Sequence, residues 1–579
     1  MQPRRSNRFR VSFSNLRFDI FYGVLLLILA TFIVRLFYIQ IIQHDKYKEA
    51  ALRGQLKEYR IPAERGIIEA HDGNNIVPIV LNEEVYTLFA DPVYVKDKKA
   101  TADSLSRITG DKADDYLSKM EIKTRYAVLA KKLDANKKKA IESLEIKGVG
   151  LRAESIRTYP QGSLASQLLG FVNDEGEGTY GLEQSLDKQL GGIEGQLKAI
   201  TDVKGVPIVS NRDNILKDSE PGERIQLTLD IGMQKKVEDL LRDHLPSVNS
   251  KSGSIVVLDP NNGAVKAMAN FPTYNPSEYS KVTDASLFTN PSVSSPLEVG
   301  SIMKTLTVAA GLDQGVIAAN GSFYDPAKFN IDNETVRNVE EDGGPQNRSI
   351  PDILRYSLNT GATYVLMQMG GGAINEKARD TWHGYLREHY FFGQKTGIEQ
   401  GYESPGVVPD PQEGFGLNIR YANTAFGQGF TVTPIQMAAA FAATINGGIY
   451  YQPHLVETNN INSKIRKRDV VRPEVSNELR AMHENSANNR YKYITRPGYK
   501  IGGKTGTAEI ASQNGGYKED VFNGTFIGYV GGDKPQYVIM VRVDEPRISG
   551  YAGSVAAAPL FGKVSNMLID NFSIPKATQ

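Results

Sequence analysis

Apolar and polar positions divide the chain before any single residue is considered. From Ile20 to Val34 there are 15 residues without a charge, rich in Leu, Ile, Val and Phe. Arg35 interrupts this stretch, and apolar residues resume at Leu36-Phe37-Tyr38-Ile39 and Ile41-Ile42. Fifteen helical residues cover about 22 Å, short of the roughly 30 Å of a bilayer's hydrocarbon core. Residues 18–42 are long enough if Arg35 extends to the interface or faces a partner helix. Signal-peptide cleavage needs small residues after the apolar stretch. Here Phe32, Ile33, Val34, Arg35, Leu36 and Phe37 are bulky, so the pattern predicts an uncleaved transmembrane anchor. No second apolar stretch of this length follows, which predicts a single pass.

Beyond the anchor, residues 43–220 read as an irregular region with strand-like segments at Ile79–Leu81 and Val85–Ala90. The polar turn Asp218-Ser219-Glu220-Pro221-Gly222 predicts a boundary, with a second domain over 221–579. That domain opens with a strand (Ile225–Leu229) and an amphipathic helix (Met233–Leu245). A hairpin-like pair follows, Ser254–Leu258 and Ala264–Ala269, around a turn with Pro and Asn-Gly chemistry. The end of the chain repeats the style, with Thr525–Val530, Tyr537–Val543 and a helix over Ala556–Leu568. Strands at both ends, with helical material at 350–370 and 434–446 between, predict an α+β fold whose antiparallel sheet is covered by helices.

The 579 residues include no Cys, which excludes disulfides, thiolate zinc sites and Cys nucleophiles. Net charge is +1, from 67 basic and 66 acidic residues, but it is unevenly placed. Residues 1–17 carry Arg4, Arg5, Arg8, Arg10 and Arg17 and no acid. By the positive-inside rule this tip is cytoplasmic, and residues from about 44 onward lie outside the cell membrane. A basic excess confined to the tip leaves no broad basic face, so nucleic acid is not an expected partner. Lys137-Lys138-Lys139 precede Ala140, Ile141 and Leu144 at helical spacing, which predicts a solvated helix face. None of the seven His forms an H-x-x-x-H or H-E-x-x-H pair, and nothing supports a zinc site or a Ser-His-Asp triad.

A serine nucleophile without His needs another base, and Lys serves when held one helical turn away. S-x-x-K occurs at Ser185–Lys188, Ser301–Lys304 and Ser573–Lys576. Pro575 disfavours a helix in the third, and Ser185 lies outside the expected sheet domain. Ser301 follows Gly300 and opens the apolar run Leu306-Thr307-Val308-Ala309-Ala310, which puts it at a helix N-terminus, where N–H groups favour negative charge. Downstream lies Ser357-Leu358-Asn359. K-T-G occurs at Lys395-Thr396-Gly397 and at Lys504-Thr505-Gly506. Gly401, Pro405, Gly406 and Pro409 make poor strand material after the first; convincing strands follow the second.

S-x-x-K, S-x-N and K-T-G in this order resemble the active-site motifs of the class B penicillin-binding proteins, probed further by Arg65-Gly66-Ile67-Ile68, Tyr180-Gly181-Leu182-Glu183, Gly427-Gln428-Gly429, Thr433-Pro434-Ile435-Gln436 and Gly503–Glu509. The resemblance covers nearly the whole chain: cytoplasmic tip (1–17), transmembrane anchor (18–42), non-catalytic pedestal (43–220) and transpeptidase domain (221–579). The chain departs from it at Leu297-Glu298-Val299-Gly300, where Val299 stands at a usual Pro.

The resemblance implies a peptidoglycan D,D-transpeptidase in which Ser301 attacks the penultimate D-Ala carbonyl of a stem peptide and an amine on a second stem peptide resolves the acyl-enzyme. Lys304 is then the base, its charged form disfavoured by burial and by Lys504. Ser357 relays a proton to the leaving amine, and Asn359 holds Lys304 or the substrate amide. Lys504, Thr505, Gly506 and Thr507 bind the terminal carboxylate, and the backbone N–H groups of Ser301 and Thr507 form the oxyanion hole. The resemblance also implies β-lactam binding, no metal or organic cofactor, and partnership with a polytopic membrane glycosyltransferase and other cell-wall synthesis proteins, Arg35 being one candidate contact. Overall size and the short tail after the transpeptidase domain favour a division-type (FtsI-like) protein over an elongation-type one. A membrane-anchored β-lactam sensor and a D,D-carboxypeptidase are the competing functions. A glycosyltransferase domain is not expected, because the first 220 residues lack an E-D-x-x-F stretch followed by His.

Overall fold

The computed structural model describes residues 16–47, 56–200, 215–338, 344–511 and 516–578. It divides into two compact units, residues 1–63 with 192–221, and residues 64–191 with 222–579.

In the first unit, α1 (Leu16–Phe37) continues through a π-helical turn at Tyr38–Ile42. The apolar helical stretch Arg17–Ile42 has 26 residues, roughly 39 Å at 1.5 Å each, enough to cross a bilayer. Arg35 falls in the last turn of α1, its guanidinium carbon 5.8 Å from the centre of the Tyr38 ring. The same unit holds an antiparallel three-stranded sheet in the order β1 (Leu56–Ile61), β6 (Gly195–Ile200), β7 (Ile215–Lys217).

The second unit begins with a sheet that the sequence pattern only partly anticipates. β2 (Ile68–Asp72) pairs with β3 (Asn75–Ala90), a single 16-residue strand that runs through both expected strand-like segments. β4 (Ala127–Leu133) and β5 (Val149–Thr158) both pair antiparallel with β3. The region is therefore more regular than its charged sequence suggests. The three adjacent lysines lie on a short helix, Ala135–Glu142, where Ile141 is buried and Lys138 Nζ sits 4.4 Å from the centre of the Tyr86 ring. β8 (Ile225–Asp230) pairs in parallel with β2, so this sheet crosses the turn at 218–222.

Asp230 caps α2 (Ile231–His244) by accepting from Met233 N–H at 2.8 Å. The main sheet follows, with β9 (Ser252–Leu258) and β10 (Val265–Phe271) forming the expected hairpin. Its helical insert contributes α3 (Lys304–Asp313), α4 (Ile350–Arg355), α5 (Asn359–Met369), α6 (Pro434–Ile445) and α7 (Pro473–Arg490). β11 (Lys500–Ala511), β12 (Tyr517–Gly531) and β13 (Pro535–Asp544) then complete an antiparallel sheet in the order β10-β9-β13-β12-β11. A π-helical turn at Gly553–Ala557 leads into α8 (Ala558–Asn571).

Period-two alternation explains how this sheet is covered on both faces. Ile255, Val257, Ile539 and Val541 enter one core with Val237 and Leu241 of α2 and Phe561 and Val564 of α8. Val256, Leu258, Val538 and Met540 enter the other with α3, α6 and α7. Both faces are buried, so these strands read as continuous apolar runs. α6 is buried on every side; Thr433 and Gln436 form a reciprocal capping box around Pro434. The Thr-Pro-Ile-Gln stretch is thus a helix start.

Candidate active site

Ser301 sits in a single 3-10 turn, Gly300–Met303, immediately before α3. Gly300 is in the left-handed region at φ +63°, and a Cβ there would lie 2.6 Å from the Thr507 carbonyl oxygen. Glycine therefore lets this turn press against β11. Val299, at the departure from the usual family sequence, is helical at φ −90°, ψ −12° and fully buried. Its carbonyl accepts from the Thr525 hydroxyl at 2.9 Å, so the turn is held without Pro.

The i, i+3 spacing brings Lys304 Nζ to 2.9 Å from Ser301 Oγ. Lys304 also donates to the Ser357 carbonyl and to Ser357 Oγ, the latter at 3.2 Å. Ser357 lies between α4 and α5 at φ +59°, a left-handed conformation costly for a residue with a Cβ. That conformation turns both its carbonyl and its hydroxyl toward Lys304. From the facing strand β11, Lys504 Nζ donates to the same Ser357 Oγ at 2.9 Å and to the Thr505 carbonyl at 2.9 Å. Both lysines are 0 % exposed. The Ser357 hydroxyl thus links Lys304 and Lys504, and Lys304 links it to Ser301, across three segments distant in the chain.

These groups border a cleft of about 580 Å³ lined by Ser301, Ser357, Asn359, Thr505 and Thr507 among others. Asn359 opens α5 and its amide donates to the Arg337 carbonyl at 3.0 Å. Thr505 Oγ1 is 2.8 Å from the Tyr491 hydroxyl, and Thr507 Oγ1 accepts from Gly553 N–H at 3.1 Å. Gly506 lets β11 approach β12 and the turn before Ser301: a Cβ there would run into the Thr525 hydroxyl and lie 2.6 Å from the Val299 carbonyl. The other K-T-G lies off the strands, where Thr396 N–H and Oγ1 both bond Glu403 Oε1 at 2.6 Å. The Ser185 hydroxyl donates to the Glu399 carbonyl at 3.0 Å.

Several cleft residues carry no spacing signal. Tyr491 closes the end of α7, Tyr356 precedes Ser357, and Phe522 and Tyr551 come from the end of the chain. Adjacency to Ser357 was the one available hint, and it applied to Tyr356 alone. Behind β11, His483 of α7 is 0 % exposed; its Nδ1 is 3.3 Å from the Gly503 carbonyl. Burial lowers its pKa from 6.5 to about 4, and the charge of Lys504 adds to the fall. Three residues before Ser301, burial raises the pKa of the Glu298 carboxyl, against hydrogen bonds from Gly429 N–H and the Tyr517 hydroxyl. Among the described residues there is no cluster of three or more His, Asp or Glu able to hold a metal ion.

Known proteins are similar to this chain along nearly its full length. The family described as the penicillin-binding protein transpeptidase domain matches residues 253–566, and the penicillin-binding protein dimerisation domain matches residues 60–227. The chain is 30 % identical over 567 residues to stage V sporulation protein D of Bacillus subtilis, covering 95 % of this chain and 84 % of that protein. It is 28 % identical over 590 residues to peptidoglycan D,D-transpeptidase FtsI of Escherichia coli, covering 99 % and 94 %. The crystal structure of penicillin-binding protein 2X from Streptococcus thermophilus superposes with a TM-score of 0.72 at 22 % identity, covering 90 % and 83 %, which concerns the fold alone. Penicillin-binding protein 3 from Mycobacterium tuberculosis, complexed with aztreonam, gives 0.66 at 25 % identity, covering 90 % and 98 %. With its catalytic-type cleft inside the matched domain and a relative aligned from end to end, the chain belongs to the penicillin-binding protein family and is a serine-type transpeptidase of it.

Proposed function

We propose that this transpeptidase cross-links peptidoglycan stem peptides through an acyl-enzyme on Ser301. The 2.9 Å separation between Ser301 Oγ and Lys304 Nζ carries the reading. Two ammonium groups sharing the Ser357 hydroxyl repel each other, and burial disfavours both charges, which supports a neutral Lys304 facing a charged Lys504. Ser301 Oγ then gives its proton to Lys304 Nζ as it bonds to the penultimate D-Ala carbonyl carbon. As that peptide bond breaks, the proton passes through the Ser357 hydroxyl to the departing D-Ala amine. An acceptor amine repeats the sequence in reverse, losing its proton and restoring Ser301.

Lys504, Thr505, Gly506 and Thr507 would receive the donor's terminal carboxylate. Thr507 Oγ1 already accepts from Gly553, which leaves its own proton available to donate. Backbone N–H groups of Ser301 and Thr507 would stabilise the oxyanion, and losing one such donor typically costs about 10²–10³ in rate. Asn359, at the start of α5 in the same cleft, would hold the substrate amide or Lys304.

The domain limits read from the sequence, 1–17, 18–42, 43–220 and 221–579, go with this function as cytoplasmic tip, anchor, pedestal and transpeptidase. The anchor would hold the catalytic unit outside the cell membrane. A septal role follows the alignment with the FtsI protein of Escherichia coli. A polytopic glycosyltransferase supplying the glycan strand would be its partner, with Arg35 in the contact. If Arg35→Leu leaves co-purification with the polymerase intact, that contact is wrong.

Fluorescent penicillin labelling tests the core of the reading. Wild type gives a covalent band, and Ser301→Ala gives none; a band of equal strength from Ser301→Ala overturns the nucleophile. Incubation with a D-Ala-D-Ala donor and an amine acceptor identifies the outcome of the acyl-enzyme. An amide product is expected, whereas acid alone marks a carboxypeptidase and a stalled adduct marks a sensor.

A further inference from the structure

Two cations face the cleft without taking part in any step above. Arg355 is the last residue of α4 and Arg490 the last of α7, and both line the cleft with Ser301 and Ser357. Their guanidinium carbons lie 5.1 and 5.4 Å from the centre of one ring, that of Tyr356, which Arg348 also approaches at 5.0 Å from outside the cleft lining. Among the described residues, neither makes an ion pair with a carboxylate, and no Asp or Glu lines the cleft. Arg355 Nε is buried with no hydrogen-bond partner.

Arginine in the last turn of a helix complements the helix dipole, which accounts for these residues being cationic. It does not account for both converging on one ring in a cleft without acids. A guanidinium held over an aromatic ring can still donate through its N–H groups. A planar, two-toothed donor set of this kind matches a carboxylate. Arg490 also adjoins Tyr491, whose hydroxyl meets Thr505 at 2.8 Å, so the pair stands beside the place assigned to the terminal carboxylate.

We propose that Arg355 and Arg490 form a second carboxylate subsite, so that the preferred donor is a peptide carrying a further carboxylate upstream of its D-Ala-D-Ala end. This rests on the transpeptidase reading above and specifies its substrate as a dianionic peptide. The two carboxylates would be held at separate points, one at Thr505 and Thr507 and one at the arginines. That two-point attachment would orient the scissile carbonyl against Ser301.

The test compares acylation of the full chain by benzylpenicillin and by its α-carboxy derivative, which differ by one carboxylate on the acyl side chain. The readout is the ratio of their second-order rate constants, carboxylated over neutral. Hydrogen bonds to charged groups of this strength predict that the ratio in R355Q/R490Q falls about tenfold below wild type. R355K/R490K, which keeps both charges, should retain most of it, and added salt should lower the wild-type ratio. A ratio in R355Q/R490Q within roughly twofold of wild type overturns the subsite; each single Gln variant is read the same way if the double variant does not fold. Failure of benzylpenicillin to acylate wild type at all would instead remove the transpeptidase reading, and the subsite with it.

Discussion

At Gly300 a single hydrogen atom decides whether the nucleophile can meet its strand. Gly300→Ala would place a methyl 2.6 Å from the Thr507 carbonyl and force a left-handed alanine. The conformational part alone costs about 1–2 kcal/mol. We expect a lower unfolding temperature together with slower penicillin acylation, because the clash pushes Ser301 away from β11. Ser357 allows stability and chemistry to be separated. Ser357→Gly relieves the left-handed strain but removes the hydroxyl that both lysines share. Thermal unfolding should change little while acylation falls by about 10²-fold or more, as for loss of a proton-transfer group. Equal losses in both would show that Ser357 is only structural. His483 gives a pH signature. Its folded pKa of about 4 lies below 6.5, so between those values the unfolded chain binds more protons, and stability rises with pH. Its stabilising neutrality is complete above pH 6.5 and is lost as pH falls toward 4, a cost of about 3 kcal/mol at 1.36 kcal/mol per unit. Denaturant midpoints of His483→Asn should therefore fall less steeply than wild type over that window.

Among the elements, the sheet of β2 to β5 depends on one buried acid. Glu183, in a short helix at Gly181–Ser185, has a fully buried side chain between Arg65 Nε and Arg157 Nε, each at 2.7 Å. Arg157, on β5, also donates to Asn82 of β3 at 2.8 Å. Two stretches singled out in the sequence, Arg65-Gly66 and Tyr180–Glu183, are therefore halves of one contact, which their separation along the chain concealed. Arg157→Met leaves Glu183 with one partner and should destabilise by about 3–5 kcal/mol, read as a lower denaturant midpoint with the transpeptidase cleft residues unaltered. A midpoint equal to wild type would show that Arg65 alone satisfies the carboxylate. In the main sheet, the strands were legible as apolar runs because each face meets a different helical layer. Their limits were not, since ladder pairing carries β12 and β11 beyond their apolar residues.

Across the whole molecule, the apolar helix Arg17–Ile42 and the cleft at Ser301 belong to different units of the chain. Removing residues 1–43 should shift the protein from the membrane pellet to the soluble fraction while penicillin labelling persists, as judged by fractionation and gel fluorescence. Continued sedimentation with membranes would mean that another surface also binds lipid. The apolar helix was readable from composition, because its run of apolar residues is long enough for a bilayer's hydrocarbon core. The pairing of β8 with β2 was not readable, because the polar turn at 218–222 signals a break in the chain and says nothing about which strands pair across it.

The order of motifs in the amino-acid chain determined the kind of chemistry, and the i, i+3 spacing determined that Ser301 and Lys304 share a turn. Both are local properties, set within one helical turn of backbone. How Ser357 reaches two lysines at once and where Arg355 and Arg490 converge were decided only by tertiary packing. Those contacts join segments whose separation is bridged by burying apolar faces against a common sheet, and no local pattern records the partner of a buried face.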